Sequence, residues 1–402
     1  MLRKTRKIVV LLLTLVMVFS MSFTTTSFAV QPSDTASLPV YTQTDTMSTL
    51  YDEVVNQKYK APSSGYYSIS TADELYLLAS YVNAGNAAEG LTFYLTADIK
   101  LGGETKPWTP IGQAYCPDNG VALNASQTHT FKGNFDGVGH KITNLYIGGT
   151  EYSGGSGKRN EANALFGLNY GNISNVSVYV NINTYRCGAG IAGHNYGTIT
   201  ACYSEGTIEA NGGGGTRGTG GIAGENTGAV ESCISKANIH NAYRRAGGIV
   251  GYNVGGTVSN CIFKGYTYSS NVTYSGGAAA TNEGGTVINS YFLENSCADN
   301  ALGWNKSGND ATSFGADKTF SVYGKITGTN DSLYTLLSEK SIYFKNISDR
   351  APVLYFQSAA DDRAKFSVTV KEPDAGEGSI EVYNGEEKVE GRRLSLLRHF
   401  RH

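Results

Sequence analysis

The pattern of apolar and polar positions changes from a helical period to a period of two near residue 90. Thr71 and Glu74 have the spacing of a capping box, which predicts the start of a helix. The segment 83–85, Asn-Ala-Gly, predicts its end. Apolar residues then alternate over residues 91–95, which predicts a β-strand. The apolar face of the predicted helix contains Leu75, Leu78, Ala79 and Val82.

A glycine-rich unit returns five times after residue 163. Each copy holds a segment similar to Gly-Ile-Ala-Gly-x-Asn, and a glycine and then a β-branched residue follow its asparagine. Three residues further on, a small or apolar position recurs. The five asparagines are Asn169, Asn195, Asn226, Asn253 and Asn282, and the later position holds Val176, Cys202, Cys233, Cys261 and Ser290.

One such unit is too short to bury its own apolar face, so the units must stack on one another. Residues 202–208 alternate between a small, apolar face and a polar, aromatic face, and residues 233–239 repeat this alternation. Parallel stacking about 4.8 Å apart predicts a solenoid in which equivalent residues form ladders. We interpret the chain as an all-β, right-handed parallel β-helix with an N-terminal capping helix and a partial C-terminal β module.

Two of the expected ladders consist of polar or reactive side chains. We expect the asparagines to lie at a corner, because asparagine tolerates left-handed backbone and its amide can bond to the next coil. Cys202, Cys233 and Cys261 predict a file of free thiols in the core, since no Cys-x-x-Cys pair or histidine accompanies them. Disulfide bonds are the alternative, because an exported chain with six cysteines permits them.

The composition supports a folded, glycine-rich β protein. The chain has 402 residues, of which 50 are glycine and 8 are proline, and 40% are hydrophobic, which is enough to bury a core. Its 32 basic and 34 acidic residues leave a formal net charge of −2. This balance argues against nucleic acid as the main partner.

The repeated segments resemble the GLUG motif of bacterial secreted and surface proteins. The resemblance includes the region upstream, such as Trp-Thr-Pro-Ile-Gly at 108–112 and Phe-Asp-Gly at 135–137, and covers residues 67–357, with the repeats at 163–297. It implies a pectin-lyase-like β-helix, in a group that includes adhesins and the N-terminal regions of IgA-cleaving metallopeptidases. Ala280 replaces the second glycine in the fifth unit, which we expect to mark the last coil.

The two ends of the chain differ from the repeats. Residues 1–29 have the basic, apolar and small-residue parts of a signal peptide, so we expect a secreted or bacterial cell-surface protein without membrane insertion after cleavage. Residues 30–66 are expected to form a linker or irregular lead-in. Residues 358–402 predict two strands with a hairpin-type turn and then a basic tail. This tail suggests a gene product that has lost downstream domains and an anchor.

The residues give little support for catalysis. None of the six histidines lies in His-Glu-x-x-His, so peptidase activity is not expected, and we predict no cofactor or metal. Hydrolysis of a polysaccharide needs two facing carboxyl groups, and no acidic pair recurs at a spacing that forces convergence. Asp136 has the context of a turn carboxylate, and Glu225 and Glu283 are expected in loops near repeat corners. The carboxyl candidates are Asp136, Glu205, Glu209, Glu225 and Glu231.

Tyrosine is the most conspicuous outward residue, with 27 copies against 2 tryptophans. A tyrosine strip offers rigid amphipathic contact area, although aromatic residues also favour strands for structural reasons alone. The sequence therefore favours an adhesin-like module that binds a glycan or protein of a host or neighbouring cell. A carbohydrate-active β-helix enzyme and a passive surface spacer are the alternatives. The candidate strip contains Tyr203, Tyr243, Tyr252, Tyr266, Tyr268 and Tyr274.

Overall fold

The computed structural model shows a parallel β-solenoid, which confirms the predicted fold class. Four parallel sheets run along it, numbered 1 to 4 below, and each contains between five and eight stacked strands. The right-handed winding stays a prediction. The residues that the structure describes are 38–41, 45–58, 60–113, 115–116, 129–148, 159–160, 162–184, 187–211, 218–241, 245–292, 302–306, 343–345, 353–355, 357, 366–369, 381–384 and 387–388.

Sheets 1 and 2 each contain eight strands, and all their strand pairs are parallel. Sheet 1 stacks β1 (Gly65–Ile69), β2 (Leu91–Leu95), β5 (Asn134–Asp136), β10 (Asn172–Ser174), β14 (Thr198–Thr200), β18 (Ala229–Glu231), β22 (Thr257–Ser259) and β27 (Thr286–Ile288). Sheet 2 stacks β3 (Ile99–Lys100), β6 (Lys141–Ile147), β11 (Ser177–Thr184), β15 (Tyr203–Ala210) and β19 (Ile234–Asn241), then β23 (Ile262–Phe263) beside β24 (Tyr266–Ser269), and finally β28 (Tyr291–Phe292).

Sheets 3 and 4 carry the Gly-Ile-Ala-Gly-x-Asn segments and the short strands that precede them. Sheet 3 stacks β9 (Phe166–Asn169), β13 (Ala192–Asn195), β17 (Ala223–Asn226), β21 (Val250–Val254), β26 (Ala279–Glu283) and β29 (Leu302–Lys306). Sheet 4 stacks β8 (Ala162–Asn163), β12 (Cys187–Ala189), β16 (Thr219–Gly220), β20 (Ala246–Gly247) and β25 (Ser275–Gly276). Antiparallel pairs join β4 (Tyr115–Cys116) to β7 (Arg159–Asn160), β30 (Phe344–Lys345) to β31 (Val353–Leu354), and β32 (Phe366–Thr369) to β33 (Glu381–Asn384) and thence to β34 (Glu387–Lys388).

The predicted helix is present as α2 (Ala72–Asn83). The Thr71 hydroxyl accepts a hydrogen bond from the Glu74 N–H at 3.2 Å, and the Glu74 carboxylate accepts from the Ser70 N–H at 2.8 Å. The predicted apolar face is buried in the main core. None of the helices in the described ranges is long and apolar enough to cross a membrane.

The lead-in contains a helix that the sequence pattern does not reveal. Helix α1 (Met47–Tyr51) continues into a π-helical turn at Asp52–Asn56. Met47 and Leu50 are fully buried in the main core. Five residues are too few to show a helical period, so residues 30–66 read as irregular although part of them packs on the solenoid.

The thiol file is present, and all of its members are buried. Cys202, Cys233 and Cys261 are free, and the Cys202 N–H donates to the Cys233 Sγ at 3.4 Å. Ser290 continues the file, since its Oγ accepts from the Cys261 N–H at 3.3 Å. Burial and the neighbouring thiols raise the pKa of Cys233 well above its usual value, so this thiol stays protonated and unreactive.

The five asparagines of the repeats form a ladder of buried amides. Each Nδ2 donates to the Oδ1 of the next coil at 2.8 Å, from Asn169 up to Asn282. Each amide of the first four also donates to a glycine carbonyl in its own coil, as Asn226 does to Gly228 at 3.2 Å. The ladder therefore joins neighbouring coils and closes a turn within each coil.

The expected left-handed backbone at these asparagines is wrong. They lie in the strands of sheet 3, and five other residues take left-handed backbone at the corner between sheets 1 and 2, with φ between 46° and 54°. Extended backbone directs the ladder amides inward, whereas the sharp corner follows the next short strand. The left-handed residues at that corner are Asn175, Ala201, Ser232, Asn260 and Asn289.

The second glycine of the repeat has a steric reason. A Cβ on Gly251 would lie 2.3 Å from the Thr219 N, because the short strands of sheet 4 fold back against sheet 3. Ala280 takes this place in the fifth unit and is fully buried. The expectation that Ala280 marks the last coil is wrong, because a further strand, β29, pairs in parallel with β26.

The C-terminal residues that the structure describes form two groups. Residues 343–345 and 353–355 lie on the outside of sheet 2 and bury part of it in a second apolar cluster. Tyr355 also donates its hydroxyl to the Asn175 Oδ1 at 2.9 Å. Strands β32, β33 and β34 confirm the predicted strands and hairpin. The predicted signal peptide and residues 389–402 lie outside the described residues.

We predict that Asn226→Ala lowers the free energy of unfolding by about 3 kcal/mol, because it leaves the Asn195 and Asn253 amides without one partner each in a buried site. Denaturant unfolding, with hydrogen exchange to locate the loosened coils, measures the change. Asn172→Ala is the matched control, since it removes an exposed Asn–Asn bond of the same 2.8 Å length and should cost less than about 1 kcal/mol. Equal effects of the two variants would contradict a structural role of burial in the ladder.

Candidate functional site

The six candidate tyrosines do not form one strip. Tyr203, Tyr266 and Tyr268 point outward from sheet 2, whereas Tyr252 belongs to sheet 3 and Tyr274 immediately precedes a strand of sheet 4. Tyr243 lies outside the described residues. The sequence could not separate these groups, because they lie in different strands of coils whose connections differ in length.

The tyrosines of sheet 2 also differ in exposure. The Tyr266 and Tyr268 side chains are about half exposed. Tyr203 is buried, because Phe344 and Tyr355 lie in the apolar cluster that covers its row of the sheet. Only the first two can therefore present an open ring surface to a large partner.

A groove of about 390 Å³ crosses the outer face of sheet 2. It spans strands β6, β11 and β15, so it runs along three successive coils. An irregularity opens it: the pairing of β6 with β11 shifts between Val178 and Val180, and Asn144 adopts φ +61° at this bulge. The polar and aromatic lining residues are Glu104, Asn144, Tyr146, Tyr179, Asn181 and Glu205.

Glu205 is held as a carboxylate at one side of this groove. It accepts hydrogen bonds from the Tyr203 hydroxyl at 2.6 Å and from the Lys236 Nζ at 2.9 Å. Partial burial alone would raise the pKa of Glu205, but these two hydrogen bonds and the Lys236 charge outweigh it and hold the pKa below its usual range. Burial and the Glu205 charge raise the pKa of Tyr179, which keeps its phenol protonated as a donor.

The remaining sheet 1 and sheet 2 carboxyl candidates are dispersed. Asp136 accepts from the Tyr41 hydroxyl at 2.8 Å, the Val138 N–H at 2.8 Å and the Asn175 Nδ2 at 3.0 Å, which confirms its interpretation as a turn carboxylate. Glu209 lies on β15 of sheet 2 and Glu231 on β18 of sheet 1. The structure does not bring these three into one site.

Glu225 and Glu283 lie on strands of sheet 3, so the prediction that they lie in loops is wrong. Both carboxylates act electrostatically on the guanidinium of Arg245, which stacks 3.9 Å from the centre of the Tyr252 ring. The Tyr252 hydroxyl donates to the Glu283 carboxylate. Burial together with this bond raises the pKa of Tyr252 to about 12. Sequence reasoning did not single out Arg245, because two adjacent arginines before a short strand match no known site motif.

Across the described ranges, no group of three or more histidine, cysteine, aspartate or glutamate side chains is placed to hold a metal ion. The groove of sheet 2 offers hydrogen bonds and aromatic surface through the side chains that line it. The phenol of Tyr179 donates, the carboxylate of Glu205 accepts, and the amide of Asn181 can do both.

We predict that Lys236→Met raises the pKa of Glu205 towards its usual value, because the variant removes one hydrogen bond and one positive charge. The expected loss of stability at neutral pH is below about 1 kcal/mol, since both side chains are partly exposed. A depressed carboxyl pKa stabilises the fold above the unfolded pKa, and this contribution is lost as the pH falls through the folded pKa, so the two proteins should converge in acid.

Carbon-detected NMR titration of the glutamate side chains measures this shift. Lys141→Met is the matched control, because Lys141 pairs with Asp98 at 3.5 Å and should leave Glu205 unchanged. An unchanged Glu205 pKa in Lys236→Met would show that the pair is not formed in solution.

Comparison with protein families matches one repeat to a known motif. The GLUG motif family model matches residues 242–267, a range that includes β20, β21, β22, β23 and the start of β24. Searches among curated proteins and among solved structures found no significant match. The matched segment contains Asn253 of the amide ladder and Cys261 of the thiol file, so the family motif coincides with the residues that stack the coils. The described residues form a parallel β-helix in which one repeat matches the GLUG motif.

Proposed function

We propose that this protein is an extracellular interaction module that binds a carbohydrate chain along the groove of sheet 2. The observation that carries the proposal is the groove itself, in which Tyr146 and Tyr179 lie beside the ionised Glu205 and the amides of Asn144 and Asn181. Sugar rings present both apolar C–H faces and hydroxyls that donate and accept. Aromatic rings together with fixed donors and acceptors match that combination.

The shape of the solenoid supports an extended ligand. Equivalent outward residues repeat every coil, so the groove continues into a regular row along sheet 2. In that row Asn181 pairs with Thr207, which pairs with Asn238 and then with Tyr266. A polymer lying along the sheet would therefore meet similar side chains at successive coils.

The state of Glu205 argues against a role for it as the general acid of a glycoside hydrolase. A general acid for glycoside cleavage needs a carboxyl group whose pKa is raised. The pKa of Glu205 moves in the opposite direction, because Tyr203 and Lys236 stabilise its charged form. The carbohydrate-active enzyme is accordingly the second candidate, and the passive spacer is the third. Secretion is supported by the signal-peptide pattern of residues 1–29.

We predict that the purified full chain binds glycans on an array and releases no reducing or unsaturated sugar ends. Tyr179→Ala and Asn181→Ala should each weaken the binding about tenfold, which corresponds to about 1.4 kcal/mol for the loss of one stacking or hydrogen-bonding contact. Asn172→Ala is the matched control, because Asn172 is exposed on sheet 1, outside both the groove and its row, and it should change affinity less than about twofold.

Three results would overturn this proposal. Release of sugar ends would make the protein an enzyme. Binding only to host-matrix proteins would make it a protein adhesin. Absence of binding to either class would favour the spacer. Circular dichroism of each variant must match that of the original protein, since Tyr179 also contacts the apolar cluster outside sheet 2.

A further inference from the structure

A buried arginine without sufficient hydrogen-bond partners lies where sheets 3 and 4 meet. Arg245 is 8% exposed, and its Nε and Nη1 atoms have no hydrogen-bond partner. The hydroxyl of Thr281 is fully buried and also has no partner. Among the described residues, five buried side-chain nitrogen or oxygen atoms lack a hydrogen-bond partner, and the two Arg245 nitrogens and the Thr281 oxygen are three of them. Such atoms are rare in folded proteins, and their concentration at one place calls for a partner from outside.

The stacking of the coils brings the surrounding side chains together. Thr281 pairs with Tyr252 on one neighbouring strand and with Trp304 on the other. The Tyr274 ring lies 5.6 Å from the Trp304 ring. Tyr252, Tyr274 and Trp304 are each half-buried, so part of each residue is open to solvent. We call these five residues, Arg245, Tyr252, Tyr274, Thr281 and Trp304, the Arg245 cluster.

The charges around the cluster select the class of ligand. Glu225 and Glu283 act on the Arg245 guanidinium, so a free anion would be repelled by two carboxylates. A cation would in turn be repelled by the positive charge of the guanidinium. A neutral molecule with several hydroxyls avoids both penalties, because each hydroxyl can accept from the guanidinium and donate to a carboxylate or to Thr281.

We infer that the Arg245 cluster is a binding site for a neutral sugar residue, separate from the groove of sheet 2. The guanidinium and Thr281 supply the hydrogen bonds that the fold leaves open. The rings of Tyr252, Tyr274 and Trp304 supply apolar faces for the C–H side of the sugar. The inference shares only the ligand class with the proposed function, since the two sites lie on different sheets and can be tested apart.

Tryptophan fluorescence can follow this site directly. The chain has two tryptophans, and Trp108 is buried with its Nε1 donating to the Leu165 carbonyl at 3.1 Å, so Trp304 is the reporter. The purified full chain is titrated with cellohexaose, mannohexaose and xylohexaose. We expect a saturable change with at least one of them, absent from Trp304→Phe. Asn181→Ala should retain the fluorescence change, because Asn181 lines the groove of sheet 2 and not the Arg245 cluster. This variant therefore distinguishes loss of binding in the groove from loss of binding at the Arg245 cluster.

Two variants test the hydrogen bonds without depending on the tryptophan signal alone. Thr281→Val removes the unpartnered hydroxyl with little change of shape, so the free protein should be at least as stable and affinity by calorimetry should fall about tenfold. Arg245→Gln should abolish binding. Thr267→Val is the matched control: its hydroxyl is buried but bonds to the Ser275 Oγ at 2.9 Å, so the variant should lose stability and keep affinity.

Several outcomes would overturn the inference. One is the absence of a saturable change with all three sugars. Another is unchanged affinity in Thr281→Val and Arg245→Gln. A third is a loss of stability in Thr281→Val without any sugar binding, which would show that buried water alone completes these hydrogen bonds.

Discussion

The register between successive coils is the constraint on which the rest of the structure depends. Backbone hydrogen bonds alone would allow a strand to slip, and a slip of one residue would turn every inward side chain outward. The buried amides prevent this, because four of the five ladder asparagines donate to the next coil at 2.8 Å and all five donate to a carbonyl of their own turn. A shifted coil would leave these groups unpaired in the core, at a cost of about 1–3 kcal/mol for each.

Once the register is fixed, the outward residues acquire neighbours that are far away in sequence. Glu205 meets Lys236 because β15 and β19 pair residue for residue, and Tyr252 meets Thr281 because β21 and β26 do the same. The chemistry of each outer face is therefore a property of vertical rows, one residue from each coil. A binding surface can change by substitution in a row without disturbing the inward ladders, which explains how one repeat motif can support different surfaces.

The predictable parts of the fold are those with a local or periodic signal. The capping box of α2 and the cysteine file follow from spacing alone, and the structure contains both. The left-handed corner was missed because two of its five residues, Ala201 and Ser232, are not types that favour left-handed backbone. The burial of Tyr203 beneath Phe344 was missed because Phe344 lies in a segment that does not follow the repeat pattern. The convergence of carboxylates on Arg245 needed the coil register in three dimensions.

The two outer sites differ in how completely the fold satisfies them. In the groove, Glu205 already has Tyr203 and Lys236 as partners, so the empty state carries no unpaired buried charge. In the Arg245 cluster, buried donors lack partners, so the empty state holds a cost that a ligand would remove. Occupation of the groove should therefore add little to the stability of the solenoid beyond mass action. Occupation of the Arg245 cluster should in addition relieve a defect in the coils that contain Tyr252 and Thr281, so ligand and coil stability are coupled there.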